Sequence, residues 1–254
     1  MNKLYIAEIE PLTEEALYEK ALSLVGEKRR EQAEKMRNPS DKARSVAAGL
    51  LLRYAVVQNA DMRNADGQHT DTQDAGMRDD NMQHAVMSWD GSYHVGEHGK
   101  PELPKKYGLH FNLSHSGEYA VCAISDHNIG TDIQIHQGER ESLAKRFFHP
   151  EELEVLNKAA DPVRCFYDLW CLKESYIKYT GRGLGAGLNR FSVVPLYLHK
   201  ELWIDGICCV GECDPEFIRL DLKELMEHKC HDKVSERAET EPMEGYSLAV
   251  VTMV

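Results

Sequence analysis

Three short stretches of this chain hold polar side chains at spacings that could do chemistry. In HFNLSHSGEYAVCAIS (110–125), a strand over 110–114 puts His110, Asn112 and Ser114 on one face, with Phe111 and Leu113 opposite. Ser114, His115, Ser116 and Gly117 then fall at the turn into the next strand. Their hydroxyls, imidazole and free backbone donors suit a phosphate group, although a plain polar turn would read the same. A hydrolase would use Ser114 as nucleophile, but no G-x-S-x-G elbow surrounds it. In IGTDIQI (129–135), Asp132 and Gln134 project together from a strand. An ionised Asp among isoleucines is costly unless it is paired or binds a metal; an exposed edge pair is the alternative. In the third stretch, Trp170, Glu174 and Lys178 recur at i, i+4 and i+8 along one helix stripe. The last two could form a surface ion pair worth about 0.3–0.5 kcal/mol, or a metal ligand beside a phosphate-neutralising cation.

The surrounding patterns supply the elements that must position these groups. Residues 3–9 alternate as a strand, and 13–25 follow helical periodicity up to Gly26. A second helix starts near Ser40, capped by Ser40 or Asp41, and runs through Leu50, Leu51 and Tyr54. Between them, residues 27–44 hold seven Lys or Arg against four acids, so a solvated helix face or an anion site is expected there. Strands are predicted at 87–95, 108–116, 118–126 and 128–135, and helices at 140–147, 150–157 and 162–180, the last stopped by Gly181. The C-terminal third reads as strands: FSVVPLYL, ELWIDGICCVG, FIRLDL and YSLAVVTMV. GYSLAVVT at 245–252 echoes GEYAVCAI at 117–124, which suggests two similar halves, each with its own sheet and packed helix. Residues 58–88 are rich in Asp, Asn, Gln and Met, lack periodicity, and repeat MRNADGQH as MRDDNMQH; they read as an acidic surface insertion.

Composition narrows the classes. The 254 residues carry 30 Lys and Arg against 42 Asp and Glu, a formal net charge of −12, which argues against a nucleic-acid binder. No apolar run approaches a membrane span, and the N-terminus lacks the core of a secretion signal. Seven scattered cysteines fit a reducing, cytoplasmic setting. Cys208, Cys209, Cys213, Cys230 and His231 lack zinc-ligand spacing, and GRGLGAG at 181–187 follows a helix, where a dinucleotide fingerprint must follow a strand.

The three stretches in this order, with HGKPEL (98–103), AKRFFHPEE (144–152) and WCLKESYIKYTGRGLGAGLNRFSV (170–193), resemble the 4′-phosphopantetheinyl transferases of the two-lobed, surfactin-synthetase-activating type. The run W-x-x-K-E-[SA]-x-x-K-x-x-G-x-G-L carries the resemblance most specifically. It implies an α+β fold of two pseudosymmetric α/β lobes, 1–126 and 127–254. Each lobe would be a small, mainly antiparallel sheet packed on helices, with the active site in the cleft between them. It also implies a monomer that moves the phosphopantetheine arm of coenzyme A onto a serine of an apo acyl or peptidyl carrier protein, releasing adenosine 3′,5′-bisphosphate.

By the same resemblance Asp132 and Glu174 hold Mg²⁺, with Gln134 a weak third ligand, and Glu174, Lys178 and Asp132 are the catalytic residues. Lys178, Ser114, His115, Lys100, Arg44 and Ser45 would contact coenzyme phosphates. The cluster Arg29, Arg30, Lys35 and Arg37 would hold the 3′-phosphate. Lys145, Arg146, Phe147 and Phe148 are expected to dock the carrier protein, joining cations to aromatic anchors. The family strand reads D-x-E, whereas here it is Asp132-x-Gln134, so one negative charge is missing. A non-catalytic coenzyme A-binding or nucleotide-binding module is the competing class.

Overall fold

A computed structural model describes residues 1–59, 89, 91–96, 98–138, 140–183, 187–199, 203–204, 207–210, 216–227 and 243–252. The expected insertion at 58–88 lies outside the described residues from position 60 onward. Among the described residues the architecture is mixed α+β, built on two four-stranded sheets. In the first, β1 (Asn2–Glu8) pairs antiparallel with β5 (Tyr119–Ser125), and β5 with β4 (His110–Ser116). The β4–β5 hairpin turns at Gly117, whose φ of +56° favours glycine. In the second, β6 (Ile129–Ile135) pairs antiparallel with β10 (Tyr246–Thr252), which lies parallel to β8 (Ile207–Val210); β7 (Trp203–Ile204) completes it. A two-stranded ribbon joins β2 (His94–Val95) to β3 (Pro101–Glu102).

Each large sheet carries one long helix. Helix α3 (Pro39–Asn59), which follows α1 (Glu15–Leu24) and α2 (Glu27–Lys35), packs on β5 and β4 and buries Ala47, Leu50, Leu51, Tyr54 and Ala55. Its cap is Asn38, which accepts the Ser40 amide at 2.9 Å, two residues before the expected Ser40 and three before Asp41. On the second sheet, α4 (Glu141–Phe147) and α5 (Pro150–Lys158) lead into α6 (Pro162–Thr180), which lies across β6 and β10. Asp161 caps α6 by accepting the Arg164 amide at 3.0 Å, and Gly181 stops it at φ +67°.

The two sheets meet through side chains. Strands β4 and β6 are the edges of their sheets. Along β4, Asn112 Oδ1 accepts the amide of Thr131 at 2.9 Å, Ser114 Oγ that of Ile133 at 3.4 Å, and Ser116 Oγ that of Ile135 at 3.0 Å. The constant offset of 19 residues makes this a strand ladder in which side-chain oxygens replace carbonyls. The sequence echo is also brought together: Tyr119 of β5 and Tyr246 of β10 meet edge-to-face with centroids 5.0 Å apart.

Several expected elements are otherwise. Of the predicted strand 87–95, only His94–Val95 is one among the described residues; Trp89 is buried edge-on to Tyr107. FSVVPLYL, which follows a 3₁₀ turn at Leu188–Arg190, contains α7 (Val194–Leu198) and no strand, because Pro195 in the first turn fixes a helical φ and needs no amide partner. FIRLDL divides into β9 (Glu216–Arg219) and α8 (Leu222–Glu227). Moreover β9, from the second half of the chain, pairs parallel with β1 and so completes the first sheet.

Candidate active site

The site forms where β6 and α6 make an unusually close approach. A β-carbon at Gly130 would lie 2.1 Å from Ser175 O and 2.3 Å from Tyr179 N, so only glycine lets the helix backbone settle there. Ser175 and Thr131 both donate to Ala249 O, at 2.9 and 3.0 Å, which pins helix and strand to β10. This brings the expected residues together. Lys178 Nζ lies 2.6 Å from Asp132 Oδ1, 3.0 Å from Thr131 O and 3.2 Å from Ser114 Oγ. Ser114 donates to the same Asp132 Oδ1 at 2.8 Å, and Gln134 Nε2 donates to Asp132 Oδ2 at 3.0 Å. Asp132 is thus paired as well as buried, which resolves its placement among isoleucines.

Glu174, one turn before Lys178, is half-buried. Loss of solvent, then the charge of Asp132, raise its pKa above the ordinary carboxylate value, with Lys178 opposing. Such a carboxylate is a better proton acceptor than a solvated one. Among the described residues, no group of three or more His, Cys, Asp or Glu side chains is placed to hold a metal ion. The oxygen donors at hand are the two carboxylates and the Gln134 amide.

These groups open into a pocket of about 560 Å³ lined by Ser114, His115, Asp132, Gln134 and Lys178 on one side and by Lys28, Arg29, Gln32 and Tyr93 on another. Lys100 closes its floor, donating to Asn128 Oδ1 at 2.5 Å, Ile129 O at 3.0 Å and Tyr179 O at 3.2 Å. Burial pushes its pKa down to about 8, with the charge of Glu102 opposing. Partial desolvation, then the charges of Arg44, Lys178 and Arg29, lower the pKa of His115.

Other expected contacts fall elsewhere. Ser45 is fully buried within α3 and lines no part of the pocket, because its helix face packs on the sheet. Arg44 reaches Gly117 O at 2.7 Å and pairs with Asp41, beside the pocket and outside its lining. Within the basic cluster only Arg29 faces the pocket: Arg30 donates to Leu22 O, Lys35 pairs with Glu31, and Arg37 is exposed. Gln32 and Tyr93 are pocket residues that the sequence reading does not single out; Gln32, at i+3 from Arg29 and i+4 from Lys28, shares their helix face. Trp170 leaves the site stripe to pack on Phe147 and Phe166. Phe148 is core at 2% exposure, stacked on Phe166, so it cannot be a docking anchor, while Lys145 and Arg146 remain exposed. Lys173 is fully buried, with Nζ 2.6 Å from Glu152 Oε1 and 2.8 Å from Phe191 O; its work is structural.

A cation, a carboxylate and an imidazole lining one pocket, with Glu174 beside Asp132, can neutralise a phosphate and receive a proton. The model of the 4′-phosphopantetheinyl transferase superfamily matches residues 128–201, which include β6 and α6. Across 193 residues the chain is 30% identical to the 4′-phosphopantetheinyl transferase Sfp of Bacillus subtilis strain 168, covering 75% of this chain and 74% of that one. This chain belongs to the 4′-phosphopantetheinyl transferase superfamily. A second Bacillus subtilis 4′-phosphopantetheinyl transferase is 45% identical over 105 residues, 40% of this chain and 46% of its own. The L-aminoadipate-semialdehyde dehydrogenase-phosphopantetheinyl transferase of Pongo abelii is 34% identical over 133 residues, 42% and 43% of the two chains. These two matches span under half of the relatives' own length. The protein is an enzyme of the phosphopantetheinyl transferase class. Among its described residues no helix is long and apolar enough to cross a membrane.

Proposed function

We propose that this transferase moves the 4′-phosphopantetheine arm of coenzyme A onto a serine of an apo acyl or peptidyl carrier protein, with Mg²⁺, in the cytoplasm. Its two lobes, divided near residue 126 and pseudosymmetric apart from the exchanged strand β9, would hold the coenzyme between them as a monomer. The observation that carries this reading is the convergence of Lys178, Asp132, Ser114, His115 and Arg29 on one pocket beside a half-buried Glu174. The serine oxygen bonds to the β-phosphorus of coenzyme A, and the bond from that phosphorus to the bridging oxygen breaks. Adenosine 3′,5′-bisphosphate leaves with that oxygen. Glu174 receives the serine proton, a role its raised pKa favours. Lys178 meets the negative charge that moves onto the leaving phosphate.

The donors suit a hard divalent ion: the charge of Asp132 disfavours the charged form of Glu174, a repulsion that a cation removes. When bound, Mg²⁺ supplies further neutralisation of the pyrophosphate. Arg29 and Lys28 are the candidates for the coenzyme's 3′-phosphate, and Lys100 and His115 for its pyrophosphate. The exposed Lys145 and Arg146 are candidates for the carrier surface. The test is incubation with coenzyme A, Mg²⁺ and several apo carrier proteins. Mass spectrometry should find the phosphopantetheine adduct on the carrier; its absence throughout would favour a coenzyme-binding module without transfer activity.

A further inference from the structure

We infer that Lys178 is the site's own cation, holding Asp132 until a divalent ion displaces it, and that the displaced ammonium then turns to the phosphate. This rests on the metal-dependent transfer proposed above and adds the exchange by which the site is loaded. Asp132 already takes three internal donors: both sites of Oδ1 are filled, by Ser114 at 2.8 Å and Lys178 at 2.6 Å, and Oδ2 takes Gln134 at 3.0 Å. A metal ion on Oδ1 needs one of that oxygen's two lone pairs, so one of its donors must leave. Ammonium and metal on one oxygen would also repel at contact distance.

Of the three donors, Lys178 is built to move. Its side chain is 26% exposed against 4% for Asp132, and it sits on a flexible stem of four methylenes. Ser114 is buried and held additionally by the Ile133 amide. Gln134 carries no charge. Lys178 also lines the pocket with His115 and Arg29, so a released ammonium remains where an incoming phosphate lies. Metal alone must break the ion pair, and phosphate alone must draw Lys178 away from a bare carboxylate. Arriving together, each completes what the other disrupts.

The test measures metal binding without coenzyme. Free Mn²⁺ is followed by electron paramagnetic resonance, and Mg²⁺ by calorimetry, for wild type, Lys178→Met and Lys178→Arg. The Met variant should bind either ion about tenfold or more tightly than wild type. The Arg variant, which keeps the charge, should stay as weak as wild type. Equal or weaker binding by the Met variant overturns the inference, as does an Arg variant as tight as Met. Because the Met variant could fail to fold, the wild type is also labelled with ¹³C-lysine. One lysine ε-carbon signal, missing in the Arg variant, should shift on adding Mg²⁺, and an unmoved signal overturns the exchange. Transfer to a carrier protein alongside either negative result would remove this inference and leave the transferase reading standing. No binding in any of the three proteins would remove the metal site and the exchange with it.

Discussion

Gly130 on β6 lies directly under the Ser175 carbonyl of α6, where a β-carbon would come within 2.1 Å of the oxygen. The contact is backbone to backbone, so no side chain can turn aside to relieve it. Gly130→Ala must therefore push the helix outward and carry Lys178 and Glu174 away from Asp132. Overpacking of this kind costs about 1–3 kcal/mol. Urea unfolding should show that loss, while turnover should fall further than stability predicts, by about 100-fold, since small displacements from reacting geometry are expensive.

Asp132→Ala and Glu174→Ala should each lower transfer by about 100-fold or more at saturating Mg²⁺, with unchanged circular dichroism. Near-wild-type turnover in either variant would show that the carboxylate lies outside the chemistry.

Gln134→Glu exchanges a donor for a charge. In the present structure the amide donates to Asp132 Oδ2, and a glutamate there would face that oxygen with a like charge. The metal-free variant should melt below wild type, and Mg²⁺ should restore more stability to it than to wild type. Thermal melts with and without Mg²⁺ check this; equal shifts in the two proteins would place residue 134 away from the ion.

Lys173 and Glu152 form an ion pair with neither side chain exposed. Glu152 also accepts the amides of His149 at 2.8 Å and Val193 at 2.9 Å, so one carboxylate ties α5, α6 and the approach to α7. Lys173→Met leaves that carboxylate buried without its cation and should cost about 3–5 kcal/mol in chemical unfolding. A loss below about 1 kcal/mol would mean that the backbone donors suffice.

Lys100 gives a pH dependence with a definite sign. Its pKa is about 8 in the folded protein against an ordinary 10.5, so between those values the unfolded chain holds a proton that the folded chain has released. Stability contributed by this residue therefore rises with pH across that window, and its charge is a cost below it. Comparing urea midpoints at pH 8 and pH 10, wild type should gain more than Lys100→Met.

Much of the site was legible because helices and strands signal their own ends and faces. Asp161, Pro162 and Gly181 bracket α6 to the residue, and the alternation of IGTDIQI sets Asp132 and Gln134 on one side. What the pattern could not carry is pairing between distant segments. Nothing in NLSHS says that its hydroxyls face β6 amides, so Ser114 reads as a phosphate contact, a turn or a nucleophile without its elbow, and not as a rung between sheets. Ser45 and Phe148 read as site residues because burial depends on what packs above them. FSVVPLYL has strand propensity throughout, and the single proline in its first turn outweighs it.

The side-chain ladder from Asn112, Ser114 and Ser116 has a consequence for behaviour at high concentration. The amides of Thr131, Ile133 and Ile135 line an outer margin of the second sheet, the kind of open strand that recruits a strand from another molecule. Here those amides are already satisfied by hydroxyl and amide oxygens of β4, whose own main chain is thereby kept against protein. Replacing all three by valine would leave the margin hungry for carbonyls, and self-association through β6 is the expected fate of such a variant. Asn112 and Ser114, which line the pocket, thus also cover a sheet edge that is otherwise open to pairing.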